Sequence, residues 1–408
     1  MRPNLAPEMK NMWNILSMIE KTSTGTTRAA IAKQLDLSRT TVSNIATQLM
    51  NMKLVEELDS EVNGRGRPGI PLRLTDSEWF SLGASFHGGC WHFILTTLDG
   101  TIVQEHRESL AGDSVDLFID SLLEGIACML KTVPGRLIPL IGIGTPGLVN
   151  SDTGVIVRAD DMGWKKVDVY TPVLERFSIA PFVLNRHRAA GLGEARFGSG
   201  KGVSSLIYIG IGNGISAAFI NDGILLEGAN FCAGEIGHML IDPNGPLCGC
   251  GRYGCLQAYS SGLALIRILK ERYSSLLAGE DPLPENVLWN AIENKTLNAE
   301  LIVKEAIQGN DVAIECLEKI SIQLGIAVSN LINTLNPQKI IIGGTLSNPG
   351  SLLTDLIRKE AERRAMRSPF SSVQIEQSYL GYKAGALGAA TLPLRHKLEL
   401  ILPLTNGS

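Results

Sequence analysis

No apolar run in the chain reaches membrane-spanning length: the greasiest stretch, 205–220, is broken by Gly210, Gly212 and Gly214. A transmembrane helix is therefore excluded. The opening residues MRPNLAPEMKNM hold no apolar core of the signal-peptide kind, so a soluble, unprocessed protein is expected. Cysteine is scarce and odd in number, seven in 408 residues, and only Cys248, Cys250 and Cys255 lie close together. That excludes a disulfide framework and predicts a reducing cytoplasm. A basic excess is also missing, since the net charge is −4, so the chain as a whole is not coated for nucleic acid. With 44% hydrophobic and 19% charged residues, it is not a disordered chain either. Glycine is plentiful, 43 residues, which implies many tight turns or ligand-facing backbone segments. The length exceeds what one hydrophobic core fills, so two or three domains are expected.

The charge is unevenly placed. The first 75 residues carry 10 Lys and Arg against 7 Asp and Glu, a net +3, and the remainder carries 27 against 34, a net −7. A short basic segment ahead of a long acidic one reads as a separate module with its own partner. Met12, Ile15, Leu16 and Ile19 recur at helical spacing, and so do Ala29, Ile31, Ala32 and Leu35 after the polar turn 22–27. The pattern stops at Asp36-Leu37 and restarts with Ser38 as N-cap of a helix over about 39–52, with Val42, Ile45, Ala46 and Leu49 inward. Two short helices, a tight turn and a third helix whose first residues are Arg39, Thr40, Thr41, Ser43 and Asn44 make a helix-turn-helix, polar where base edges would be met. An ordinary three-helix bundle has the same pattern. The adjoining segment favours DNA: a two-stranded wing over 54–58 and 72–74, joined through Gly64-Arg65-Gly66-Arg67-Pro68. Arg65 and Arg67 on a thin, extended backbone suit a narrow A·T-rich minor groove; a charged linker is the alternative.

From Trp79 onward, strand-like runs alternate with amphipathic helices, such as 115–131 followed by 137–142, which predicts an α/β body. Glycine turns at 142–147, 210–214 and 343–344 follow apolar runs and are expected to offer backbone N–H groups to a ligand. One cluster is sharper. Glu235-Ile236-Gly237-His238, followed after nine residues by Cys248, Cys250 and Cys255, supplies three thiolates and an imidazole within 18 residues. That set suits tetrahedral zinc with no position left open, hence a structural site with ligands His238, Cys248, Cys250 and Cys255.

These motifs, with Gly144-Thr145-Pro146-Gly147, Gly193-Glu194, Asn336-Pro337 and 385–390, make the chain resemble the ROK family of repressors and sugar kinases. The head makes it similar to the family's NagC/XylR-type regulators. The resemblance implies an N-terminal winged helix-turn-helix (1–75) and a two-lobed α/β body of the actin-like ATPase, ribonuclease H-like fold. One lobe is expected over 76–190 plus about 380–396, the other, with the zinc loop, over 191–379.

The family's kinases carry an Asn-Asp pair whose Asp accepts the sugar hydroxyl proton. Here Asn185 is kept and Arg186, which cannot accept that proton, follows it. The kinases' first phosphate turn matches 82–89, with Ser85 at its acid and His87 at a glycine; the second, 210–214, has Ile211 where a hydroxyl is usual. Not an enzyme but a repressor of carbohydrate genes, binding a palindromic DNA operator as a homodimer or dimer of dimers, is therefore implied. The resemblance places its effector, a sugar, sugar phosphate or sugar acid, on Asn185, Glu235, His238 and Gln257, the last replacing a usual Glu. His238 has either this dual duty or the metal alone. Arg186 and Arg188 are surface charges or anion ligands, and Trp164 is a pocket wall or plain core. The rival functions are a residual ATP-dependent sugar kinase and a regulator that senses a partner protein.

Overall fold

A computed structural model describes residues 7–20, 22, 25–58, 69–76, 78–112, 114–277, 286–347 and 349–405. The head opens with a helix, Pro7–Glu20, longer at its start than the apolar spacing marks. The next helix, Arg28–Leu35, begins where the Thr27 hydroxyl accepts from the Ala30 N–H and ends at Asp36, which takes a left-handed conformation with φ 52°. That turn aims the third helix, Arg39–Asn51, capped by Ser38 as its sequence predicts: Ser38 Oγ accepts from the Thr41 N–H at 3.0 Å.

Val55–Glu57 and Pro71–Leu74 pair antiparallel as a wing, with Glu56 opposite Arg73. A third strand, Thr26–Thr27, pairs with Pro71–Leu72, where the sequence predicts only a polar turn. Two residues are too few to show a strand period, so this pairing is decided by the wing and not by local pattern. Arg65 and Arg67 lie outside the described residues.

The body is built on two five-stranded sheets of identical plan, with a smaller antiparallel sheet of Trp164–Asp168, Val155–Ala159 and Leu148–Asn150 added to the first lobe. In spatial order the first is Ala180–Asn185, Arg136–Thr145, Trp79–His87, Cys90–Thr96 and Ile102–Ser109. The second is Gln374–Gln377, Lys339–Gly343, Ser205–Ile211, Ile215–Asn221 and Ile224–Leu225. Each runs as a three-stranded antiparallel meander whose first strand is flanked by two parallel strands reached through helices. Such repetition within one chain is the actin-like architecture the sequence resemblance implies. The chain crosses from the first sheet to the second after the helix Arg186–Phe197, and returns before the helix Ala384–Thr405.

Those two helices, hereafter the cleft helix and the C-terminal helix, pack on each other between the sheets. Their contact explains several glycines. A Cβ on Gly142 would sit 1.9 Å from the Ala389 carbonyl, and one on Gly388 1.6 Å from that of Ala189. Gly142 and Gly144 lie inside the strand Arg136–Thr145, so the expectation that they form a ligand-facing turn is corrected: they admit a helix against the sheet.

The C-terminal helix continues beyond the body. Its Leu394, Leu398 and Ile401 join Met12, Ile15, Leu16 and Ile19 of the first helix, and Trp79, Leu98 and Ile138 of the body, in one buried cluster. Trp79 also donates its indole N–H to the Met52 carbonyl at 2.9 Å. The head has no core of its own separate from the body. No helix among the described residues is long and apolar enough to cross a membrane.

Candidate functional site

On the third head helix, Val42, Ile45, Ala46 and Leu49 face the core. Arg39, Thr40 and Asn44 are exposed, while Thr41 and Ser43 are half-buried. Ser38 and Thr41 are 2.8 Å apart through their hydroxyls, so both serve the cap first. Thr47 and Gln48, which the sequence reading did not single out, extend the exposed stripe one turn further; helical spacing from Thr40 and Asn44 points to them.

The metal ligands converge. Donor atoms of His238, Cys248, Cys250 and Cys255 all lie within 4.8 Å of one another. Cys250 Sγ is 3.7 Å from Cys255 Sγ, and Cys248 Sγ is 3.8 Å from His238 Nδ1. Edges of a tetrahedron around zinc with Zn–S near 2.3 Å are about 3.8 Å, so the donor set fits the ion. His238 would bind through Nδ1, in a single 3-10 turn, Ile236–His238. The Gln257 amide donates to Cys248 Sγ at 3.4 Å, placing it behind a metal ligand.

Between the lobes, Asn185 caps the cleft helix: its Oδ1 accepts from the N–H groups of His187 and Arg188, and its Nδ2 donates to the Gly147 carbonyl at 2.8 Å. The side chain that sequence assigns to an effector thus keeps one amide hydrogen for it. Arg186 is no surface charge. It pairs with Asp161 at 3.2 Å, both side chains largely buried. Arg188 is buried too, donating to the Phe231 carbonyl at 2.9 Å and facing Glu227 and Glu235. Burial raises the Glu235 carboxyl to about 7, and Arg188 pulls it back only in part. Arg188, whose N–H Asn185 caps, thus ties the cleft helix to the loop 226–235 through the Phe231 carbonyl, and that loop leads by way of Glu235 to His238.

In the same first turn of the cleft helix and against it, burial holds His187 well below its ordinary value and His87 near 3, with Arg186 adding to both shifts, so both rings are neutral at physiological pH. The ring of His187 fills the space beside the second glycine turn: a Cβ on Gly210 would lie 1.9 Å from its Nδ1. Trp164 is core, its ring 4.7 Å from that of Phe118. A contact that spacing gives no sign of ties the first lobe to the cysteine loop. Arg158 pairs with Asp160 and donates to the Gly249 carbonyl of the cysteine loop at 3.1 Å.

Comparison with known proteins agrees with this architecture. The ROK family pattern matches residues 88–396. The xylose repressor of Bacillus subtilis (strain 168) is 28% identical over 376 residues, 92% of either chain. A glucokinase of Thermotoga maritima is 30% identical over 317 residues, 76% of this chain and 96% of its own. A crystal structure of a ROK family transcriptional regulator, a homologue of the E. coli MLC protein, superposes with a TM-score of 0.81 at 25% identity. It covers 98% of this chain and 99% of that one. With its family pattern matched over most of its length, the chain belongs to the ROK family.

Proposed function

We propose that this chain is a transcriptional repressor of carbohydrate genes that reads a palindromic operator as a dimer and is released by a sugar bound between its lobes. The observation that carries the reading is the pairing of two features in one chain. An exposed polar helix face stands beside a wing, and Arg186, locked to Asp161, occupies the position at which the family resemblance implies a carboxylate base in the kinases. A permanently charged guanidinium accepts no proton, and neutral His87 and His187 give a nucleotide phosphate no cation at the glycine turns. Division into a head over 1–75, a lobe over 76–190 with about 380–396, and a lobe over 191–379 accords with one sheet ending at Asn185 and the other spanning 205–377.

In this reading Ser38 and Thr41 set the angle of the third helix, and Arg39, Thr40, Ser43 and Asn44 meet base edges in the major groove. Arg65 and Arg67 follow the minor groove. Asn185, Glu235, His238 and Gln257 surround the sugar. Zinc on His238, Cys248, Cys250 and Cys255 is structural, because four protein ligands leave no position for chemistry; when bound, it fixes the imidazole plane of His238. The charge of Arg186 is already answered by Asp161, and Arg188 is held on the Phe231 carbonyl. That favours an uncharged sugar over a phosphate or acid.

The test is selection of duplexes from a random pool by the full chain, followed by binding titrations with D-xylose, D-glucose and N-acetylglucosamine. One palindromic duplex is expected, released by one of the sugars, and weakened about tenfold or more by Arg65→Ala with Arg67→Ala. Failure to enrich any duplex, or ATP-dependent phosphorylation of these sugars, overturns the reading.

A further inference from the structure

Both chain connections between the lobes are held by one buried carboxylate. Glu194, fully buried in the last turn of the cleft helix, accepts from the Ser199 N–H at 2.8 Å through Oε2. Through Oε1 it accepts from Ser378 Oγ at 2.6 Å and from the Leu380 N–H at 2.8 Å. Ser199 lies in the crossover 198–204 leading to the second sheet, and Ser378 and Leu380 lie in the crossover 378–383 leading back. Lys339, from the second sheet, donates to the Ser199 carbonyl at 3.0 Å and pairs with Glu376. Any rotation of one lobe against the other must turn about these segments. Because the three bonds share a charged acceptor, their geometry is held more firmly than that of neutral turns.

Two residues on, the same turn touches the head. Arg196 lies 3.8 Å from the carboxylate of Glu20, the last residue of the first head helix. Lys397 of the C-terminal helix donates to the same carboxylate and to the Leu394 carbonyl at 2.8 Å. Lys397 is only 4% exposed, so this ion pair is shielded from salt and its partners are not free to drift apart. Phe197, next in line, packs on Gly100, where a Cβ would meet its ring at 2.0 Å. The other end of the cleft helix carries Asn185, Arg186 and Arg188 of the interlobe site. Twelve residues of helix span about 18 Å as a stiff rod.

We propose that the last turn of the cleft helix is the joint that carries lobe movement to the DNA-reading helix, with Glu194 as its pivot and the Glu20–Arg196–Lys397 triad as its transmitting contact. The proposal rests on the proposed effector for what moves the lobes, but not for the joint itself. A shift of the triad tilts the helix Pro7–Glu20, and the shared cluster of Met12, Ile15, Leu16 and Ile19 with Val42, Ile45 and Leu49 passes that tilt to the third helix.

Amide hydrogen exchange on the full chain tests the joint without any ligand. Ser378→Ala removes one pivot bond, and in the parent it should speed exchange across 28–51 about tenfold, as well as in the two crossovers. With Arg196→Met present, the crossovers should still respond, but the added change in 28–51 should fall below about twofold. Equal responses in both backgrounds, or crossovers that loosen with no response in the head of the parent, would overturn the proposal. Should Ser378→Ala unfold the second sheet, Lys339→Met, which frees the Ser199 carbonyl, makes the same comparison, and Glu20→Gln replaces Arg196→Met in the same way. A second arm adds D-xylose, D-glucose or N-acetylglucosamine. A sugar that raises the melting temperature of both proteins should alter head exchange only where the triad is intact. If none of the three binds, the effector reading fails on its own and the ligand-free comparison still decides the joint.

Discussion

Burial keeps the Glu235 carboxyl near 7 while its ordinary value is 4.5, which ties folding to pH at a single residue. Below 4.5 the carboxyl is protonated in both folded and unfolded chains, so it contributes no slope. Between 4.5 and 7 the unfolded chain releases the proton and the folded chain retains it, so stability falls as pH rises through that window and levels off above it. The full effect is about 3 kcal/mol. Glu235→Gln should therefore match the parent near pH 4 and exceed it by up to about 3 kcal/mol at pH 8, read from denaturant midpoints. A parent and variant that differ equally at both values would place the carboxyl in its ordinary range. The residue itself stands out in sequence as part of Glu-Ile-Gly-His; its raised pKa does not, since that comes from burial in the folded chain.

At the scale of elements, the cysteine loop shows how local and distant information combine. Its ligand spacing is readable from 18 consecutive residues because chelation demands close donors. Its support is part local, Gln257 behind Cys248, and part distant, Arg158 from the first lobe on the Gly249 carbonyl. Outer partners of metal ligands typically contribute 10–100-fold in affinity. Gln257→Ala should accordingly weaken zinc by about that factor in a chelator competition, while the purified parent carries one zinc per chain. Folded parent protein without zinc, or a Gln257→Ala variant with unchanged affinity, would rule this support out. The head helices are equally legible, since their caps and apolar stripes are written within four residues of each position, as Ser38 and Thr41 illustrate. The strand Thr26–Thr27 is not, because it exists only by pairing with Pro71–Leu72.

For the whole molecule, the shared cluster of head, body and C-terminal helix changes how the charge asymmetry is understood. The basic segment is a distinct electrostatic unit but not a free-standing one, since its first helix buries its apolar face partly against Leu394, Leu398 and Ile401. Leu398→Ala should cost about 2–5 kcal/mol. It should lower amide protection in the helix Pro7–Glu20 while leaving the strands Ser205–Ile211 and Lys339–Gly343 protected. Uniform loosening of both regions would show that the cluster is no boundary between cooperative units.

Determined by sequence alone were the features set by neighbours along the chain: the helix-turn-helix periods, the Ser38 cap, the donor set at 238–255, the arginine after Asn185 and the family they identify. Tertiary structure decided which partners those residues meet. Arg186 finds Asp161 25 residues away, Glu194 finds Ser378 across 184, and Gly142 makes room for Ala389. Helical period and capping act over one turn, whereas ion pairing, burial and helix-on-sheet contact depend on surfaces that exist only once two sheets have closed on the helices between them.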